Sequence, residues 1–211
     1  MNSTRVKDKA IQKVGDLTLV DRVIRCLNKV PEIGQIIFYA NDPAQYVKYI
    51  QTEALRKVRF VERDPKFDDD DVTFNQILDS VIDMEKIWRP EKIVFATYTS
   101  PFLQPATIHY MCESMIYDWY DSAFTAVPLN GFIGKWMKRY RPVNYNWKKV
   151  PKTQDIEMYV METSSCYIFD ANHYRKTGRR IGDRPNVHLV DKIESWDIDT
   201  EEDLRIARKL V

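Results

Sequence analysis

The sequence predicts an α/β fold, with a parallel or mixed sheet covered by helices on both faces. Three observations predict it. Short apolar, β-branched runs alternate with segments of helical period along most of the chain, the pattern of strand–helix–strand units. The run over residues 35–40 carries Ile36, Ile37, Phe38, Tyr39 and Ala40 in succession without polar alternation, so it reads as a strand buried on both faces. The chain has 211 residues, 44% hydrophobic and 30% charged, which suits one domain with a substantial core and excludes disorder as its main state.

In order along the chain, residues 17–29 read as a helix, with Leu19, Val20, Val23, Ile24 and Leu27 on one face. Residues 35–40 read as a buried strand. Pro43, after Asn41 and Asp42, suits the first turn of another helix. Residues 57–62 read as a strand, and the four-aspartate run from Asp68 to Asp71 as a solvated loop leading into a helix over 73–87. A strand over 92–97, a helix from Pro105 to about Tyr117 and a strand over 122–127 continue the rhythm.

From Asn130 to Lys152 the rhythm breaks into an aromatic and basic stretch that includes Trp136, Arg139, Tyr140, Trp147 and Lys148. Taken alone, it fits a nucleic-acid face with stacking rings or an extended hairpin serving as a subunit interface or substrate rim. The near-neutral chain favours the second reading, and residues 130–165 are assigned to a hairpin insertion within a single domain spanning 1–211. Strands near 157–161 and 165–169, a short helix near 171–176, a strand near 187–191 and a last helix from residue 200 complete the expectation.

Charge and composition narrow the function. Lys and Arg total 32 against 31 Asp and Glu, so no excess charge points to nucleic acid or an anionic membrane. The longest apolar run, Ile36 to Ala40, is too short to span a bilayer, and the first residues carry no apolar signal core. Cys26, Cys112 and Cys166 are far apart, which argues against a disulfide framework or a zinc site and for a reducing cytoplasm. The three histidines show no ligand spacing, and His109 reads as a structural helix residue.

Ligands of open α/β sheets bind beyond the carboxyl ends of the strands. That rule selects Asn41-Asp42, Arg63-Asp64, Thr97 to Pro101, Asp197 to Thr200 and the N-terminal loop. If residues 194–199 are extended, Asp197 and Asp199 point to one side. Two such carboxylates suit Mg²⁺, which takes its remaining ligands from water and substrate phosphates. The plainer reading is a helix start, with Thr200 as N-cap and Asp203 closing a capping box. Ser3, Arg5, Lys7 and Lys9 put cations in a loop where phosphates can sit, although basic termini are commonly just solvated.

Taken together, the segments resemble the N-acylneuraminate cytidylyltransferases. Asn2-Ser-Thr-Arg-Val-Lys-Asp-Lys9 followed by Gly15-Asp-Leu-Thr-Leu-Val-Asp-Arg-Val-Ile24 is similar to their opening loop and helix. Thr99-Ser-Pro-Phe-Leu103 resembles their T-S-P-L-R element, and Gln154-Asp-Ile with Tyr167-Ile-Phe resembles their Q-D-L and Y-I-F strands. Arg180-Ile-Gly-Asp-Arg-Pro185 and Asp197-Ile-Asp-Thr-Glu-Glu-Asp-Leu204 resemble their closing I-G-x-x-P and D-I-D-T-x-x-D motifs. The order holds along nearly the whole chain.

The resemblance implies a Rossmann-like nucleotidyltransferase that uses CTP and a 2-keto-3-deoxy acid sugar and acts as a homodimer through the projecting hairpin. It implies catalytic roles for Lys9 and Asp199, Mg²⁺ on Asp197 and Asp199, and nucleotide contacts from Ser3, Arg5, Lys9, Thr99 and Ser100. Gln154 and Tyr167 are the implied acceptor contacts. The family opens with a buried strand ending in P-x-R, for which this chain has no counterpart. Two expectations follow: a start placed at an internal Met, or a short form that keeps the dimer as a non-catalytic scaffold. Ala10 replaces a family Asn, Thr97 a frequent Gln, and Thr163-Ser-Ser165 a glycine-containing pair, so a related acid fits as well as sialic acid. A third reading is another acceptor, such as an octulosonic acid or a phosphonate: Ser3-Thr-Arg5 fits the octulosonate branch slightly better, whereas the tail motifs fit the acylneuraminate branch.

Overall fold

The computed structural model describes residues 6–69, 71–84 and 90–211. The strands are β1 (Lys13–Val14), β2 (Leu17–Thr18), β3 (Ile36–Ala40), β4 (Val58–Glu62), β5 (Lys92–Ala96), β6 (Ser122–Leu129), β7 (Gly134–Met137), β8 (Arg139–Pro142), β9 (Tyr159–Asp170) and β10 (Pro185–Leu189). The helices are α1 (Leu19–Asn28), α2 (Phe74–Met84), α3 (Pro105–Tyr117), α4 (Ala171–Thr177) and α5 (Glu201–Ala207). Residues 85–87, the expected end of the helix that is α2, lie outside the described residues. Short 3₁₀ turns fill several loops, including Pro43–Tyr49, where the sequence predicted a helix.

The main sheet is mixed, in the order β10-β6-β9-β5. β10 runs parallel to β6, and β9 runs antiparallel to both β6 and β5. β3 and β4 form a separate parallel pair, and no ladder joins them to the main sheet among the described residues.

Helices cover both faces. Ile108, Met111, Cys112 and Met115 of α3 pack with Cys26 of α1 on Ala123, Cys166 and Ile168, and Ile36 of β3 belongs to the same cluster. On the other face, Leu78 and Ile82 of α2 pack on Phe124, Tyr167 and Phe169. The Tyr39 hydroxyl lies 2.9 Å from Ser80 Oγ, tying β3 to α2. Burial on both faces suits strands without polar alternation.

Local chemistry sets the element ends. Thr18 caps α1 by accepting from Asp21 N at 3.2 Å. The buried Asp21 carboxylate in turn accepts from Gln51 N at 3.2 Å and pairs with Arg25. Residues 17–18 therefore belong to the β1–β2 hairpin, and the helix begins two residues later than predicted. Gly15 in the hairpin turn has φ 63°, a conformation that costs glycine little.

The two strands predicted near 157–161 and 165–169 are one strand, β9. Its register against β6 shifts between Phe124 and Ala126, opposite a kink where Ser164 has φ 58°. This bulge bends the strand without ending it. Residues 130–158 leave the sheet through the β7–β8 hairpin and the turn at Thr153–Asp155, while residues 159–165 belong to β9. No helix of the described residues is long and apolar enough to cross a membrane.

Candidate active site

The carboxyl end of β5 organises the site. Thr97 N donates to Ser165 O at 3.2 Å, fixing the strand end against β9. The Thr97 and Ser100 hydroxyls lie 3.1 Å apart, and Ser100 is fully buried. Ser100 thus supports the turn from beneath. One residue back, the Thr99 carbonyl accepts from Ile198 N at 2.9 Å. That bond docks the segment before α5 beside the β5 turn.

Residues 192–195 form a turn and residues 196–199 no regular strand, so the extended segment supposed over 194–199 does not form. Ile198 is fully buried between Asp197 and Asp199, which are both partly exposed. Thr200 and Asp203 form the reciprocal capping box of α5. Asp203 accepts from Thr200 N at 2.7 Å, Thr200 Oγ1 at 2.7 Å and Asp199 N at 3.1 Å. The plainer reading is therefore present, and it uses neither the Asp197 nor the Asp199 carboxylate.

Lys9 opens a one-turn 3₁₀ helix, Lys9–Ile11, after Asp8 in a left-handed conformation. Its side chain is 7% exposed, and Nζ lies 3.4 Å from Asp199 Oδ1. Residues 190 positions apart in sequence thus meet at one point. Burial raises the Asp197 carboxyl above the usual range, a hydrogen bond from Thr99 opposes this, and the neighbouring Asp199 charge adds to the rise. Asp197 Oδ1 is buried and has no hydrogen-bond partner. A buried carboxylate oxygen without a donor beside a second carboxylate is a donor set that suits a hard cation. Among the described residues, no group of three or more Asp, Glu, His or Cys can hold a metal. Two protein carboxylates are thus the ligands this part of the chain could offer, and Mg²⁺ commonly takes one or two carboxylates with water and phosphate oxygens.

A second polar group lines the ends of β3 and β4. Arg63 is buried and pairs with Asp68, whose other oxygen accepts from Asn41 Nδ2 at 2.7 Å. Burial raises the Tyr46 and Tyr98 phenols, and the Arg63 charge opposes the rise at both. The strand-end rule selected Arg63 and, within Thr97 to Pro101, Tyr98, but nothing in sequence marked Tyr46.

The remaining predicted residues are dispersed. Ser3 and Arg5 lie outside the described residues. Gln154 is exposed in the turn at Thr153–Asp155. Tyr167 is buried in β9, and its hydroxyl donates to Glu162 at 2.7 Å. No hydrogen bond among the described residues joins Gln154 to Tyr167. His109 bridges Glu32 at 2.7 Å and Glu113 at 3.6 Å on α3, a structural role.

The structure thus gathers two carboxylates and a buried lysine beyond the end of one strand of a mixed α/β sheet. The cytidylyltransferase family profile matches residues 1–189, and the chain belongs to that family. CTP-dependent nucleotidyl transfer is the chemistry of this family. Asp197 and Asp199 lie just beyond the matched stretch.

Several solved structures share the fold. A 4-diphosphocytidyl-2C-methyl-D-erythritol synthase superposes with TM-score 0.69 at 12% identity, covering 96% of this chain and 94% of that one. A CMP:2-keto-3-deoxy-manno-octonic acid synthetase complexed with CTP gives TM-score 0.65 at 10% identity, covering 99% and 93%. The 2-C-methyl-D-erythritol 4-phosphate cytidylyltransferase of Thermus thermophilus gives 0.62 at 14% identity, covering 96% and 92%. No curated protein sequence matches the chain.

Proposed function

We propose that this protein transfers CMP from CTP to the anomeric hydroxyl of an acidic 2-keto-3-deoxy sugar, sialic acid or a related nonulosonic acid, and releases pyrophosphate. The observation that carries this reading is the meeting of the buried Lys9 ammonium with Asp199, 3.4 Å apart, beside the unpartnered Asp197 Oδ1. The ordered motifs around these residues, from the N-terminal loop to Asp197-Ile-Asp-Thr, support the acidic-sugar acceptor.

In this mechanism Asp197 and Asp199 would hold Mg²⁺, and the ion would supply charge neutralisation at the phosphates and Lewis-acid activation of the acceptor hydroxyl. Lys9 binds the triphosphate. Its ammonium is held in a buried position beside Asp199, so it would contribute to transition-state charge stabilisation with little reorganisation. Thr99 holds the Asp197 carboxylate, and Ser100 fixes the turn on which Thr99 sits. Ser3 and Arg5 are assigned to the nucleotide through the resemblance alone, and Gln154 and Tyr167 to the acceptor.

The partner is a second copy of the chain, meeting at the β7–β8 hairpin and the segment after it. This region exposes Trp136, Met137, Trp147, Val150 and Met158. Exposed apolar side chains in such number mark an interaction surface.

The test is pyrophosphate release from CTP and Mg²⁺ across a panel of nonulosonic acids. Asp199→Ala is expected to lose at least about a hundredfold in kcat. Turnover within tenfold of the parent would refute the metal role. No release with any acid, together with unaltered CTP binding, would instead establish a non-catalytic nucleotide-binding homologue.

A further inference from the structure

On the α2 face of the sheet, a cavity of about 630 Å³ is lined by Thr73, Phe74 and Asn75 at the start of α2 and by Gly178, Arg179, Arg180 and Ile181 after α4. The Arg180 guanidinium lies 4.1 Å from the centre of the Tyr167 ring and 5.0 Å from that of Phe74. Among the described residues it has no ion pair and no hydrogen bond. The nearby acids are engaged elsewhere. Glu162 accepts from Tyr167 at 2.7 Å, Asp79 from Tyr174 at 2.9 Å, and Asp183 pairs with Arg179 at 2.8 Å. Arg180 is therefore a cation held by two rings at the wall of a cavity, with no acceptor for its in-plane donors among the described residues.

A guanidinium packed against aromatic rings has little rotamer freedom left to lose, and its edge keeps the planar fork that matches a carboxylate or phosphate. Five N–H donors without acceptors are costly to leave partly buried. An anion in the cavity would satisfy them. The cavity and the proposed site are linked through β5. Phe74 packs edge-on against Phe95 with ring centres 4.5 Å apart, and Phe95 lies two residues before Thr97, where the β5 turn to Thr99 begins.

We propose that Arg180 anchors an anionic group of the acceptor and so selects acidic over neutral acceptors. This inference rests on the cytidylyl-transfer reading of the proposed site. The anionic group is either the carboxylate of a 2-keto-3-deoxy sugar acid or the phosphate of a polyol phosphate.

Calorimetric titration without CTP tests the anchor separately from the reaction. The probes are 2-keto-3-deoxy-manno-octonic acid, N-acetylneuraminic acid and 2-C-methyl-D-erythritol 4-phosphate, each with its neutral counterpart. At least one anionic probe should bind the parent protein, and its neutral counterpart should not. Arg180→Ala should weaken that binding at least thirtyfold and leave the CTP affinity within twofold, and Arg180→Lys should recover part of the loss. Arg179→Ala, whose guanidinium is already paired, should stay within threefold of the parent. Equal losses in both alanine variants would show a general charge effect and overturn the anchor. So would unchanged binding in Arg180→Ala, or no binding of any anionic probe. Pyrophosphate release, measured in parallel, decides the reaction: an anchor that binds an acid with no turnover would fault the transfer reading and leave the anchor standing.

Discussion

Lys9 and Asp199 form a lopsided pair, and the imbalance predicts that neutralising one is costlier than neutralising the other. The lysine side chain is 7% exposed and the aspartate side chain 50%. Two unit charges 3.4 Å apart attract by about 5 kcal/mol at an effective dielectric constant of about 20. Water around the exposed carboxylate screens much of this. Asp199→Asn leaves a buried ammonium with only the more distant Asp197 and Asp203 charges to offset it. Losing one partner of a fully buried pair costs about 3–5 kcal/mol, and half-exposure brings the expectation to about 2 kcal/mol. Lys9→Met removes the buried charge and leaves a carboxylate that water can solvate, so its cost should stay under about 1 kcal/mol. For a chain of this size, 2 kcal/mol corresponds to a fall in Tm of about 4–8 °C. Thermal unfolding of both single variants and the double variant, followed by circular dichroism, measures the asymmetry. The double variant should melt near Lys9→Met. Equal falls in the two single variants, or an Asp199→Asn protein as stable as its parent, would refute the buried-ammonium account.

Thr200→Ala removes the α5 cap and should cost about 1 kcal/mol in urea unfolding near neutral pH. Burial opposes it, but Thr200 hydrogen bonds hold the Asp203 carboxyl below its ordinary value. The contribution of the box is therefore complete above the unfolded carboxyl pKa of about 3.9 and is lost as pH falls through the lower folded value, so parent and variant should converge in acid. Burial pushes the Cys26 thiol up to about 12 and the Cys112 thiol to about 11, and raises Cys166 strongly. At pH 8 all three should resist a disulfide reagent in the native protein and react promptly in urea, and rapid native labelling would contradict the described core. A Cβ at Gly182 would run into the Asp121 carboxylate, which accepts from Asp183 N and Arg184 N at 2.8 and 2.9 Å. Gly182→Ala should therefore destabilise by about 1–3 kcal/mol in the same unfolding assay. Ile108→Ala in the fully buried α3 face should cost about 2–5 kcal/mol, and a smaller loss would mean that the cavity collapses.

Much of the architecture was legible because local rules and burial agree. The strands predicted over 35–40, 57–62 and 92–97 form within a residue of those bounds, and Pro105 opens α3 where a proline at the first helical position should. The capping box at Thr200 and Asp203 was readable from spacing alone. Elsewhere the sequence pointed to the right residues but left their structure open. Two strand signals around Thr163–Ser165 belong to one bulged strand, because pairing with β6 continues across the kink and period-2 patterning does not register that. The segment at Pro43 has a helix-start signal and forms only 3₁₀ turns.

The sequence by itself determined the α/β class, the positions of most elements and the residue types available for phosphate and metal chemistry, since these follow from periodicity, capping and side-chain identity. Only the tertiary structure decided which of them act together. The Lys9–Asp199 contact spans nearly the whole chain and depends on one backbone bond from Ile198 to Thr99. Arg180 carries no distinguishing local pattern, and its place at the cavity wall shows only once Tyr167 and Phe74 close around it. Long-range proximity and the loss of solvent are properties of packing, and no short stretch of sequence encodes them.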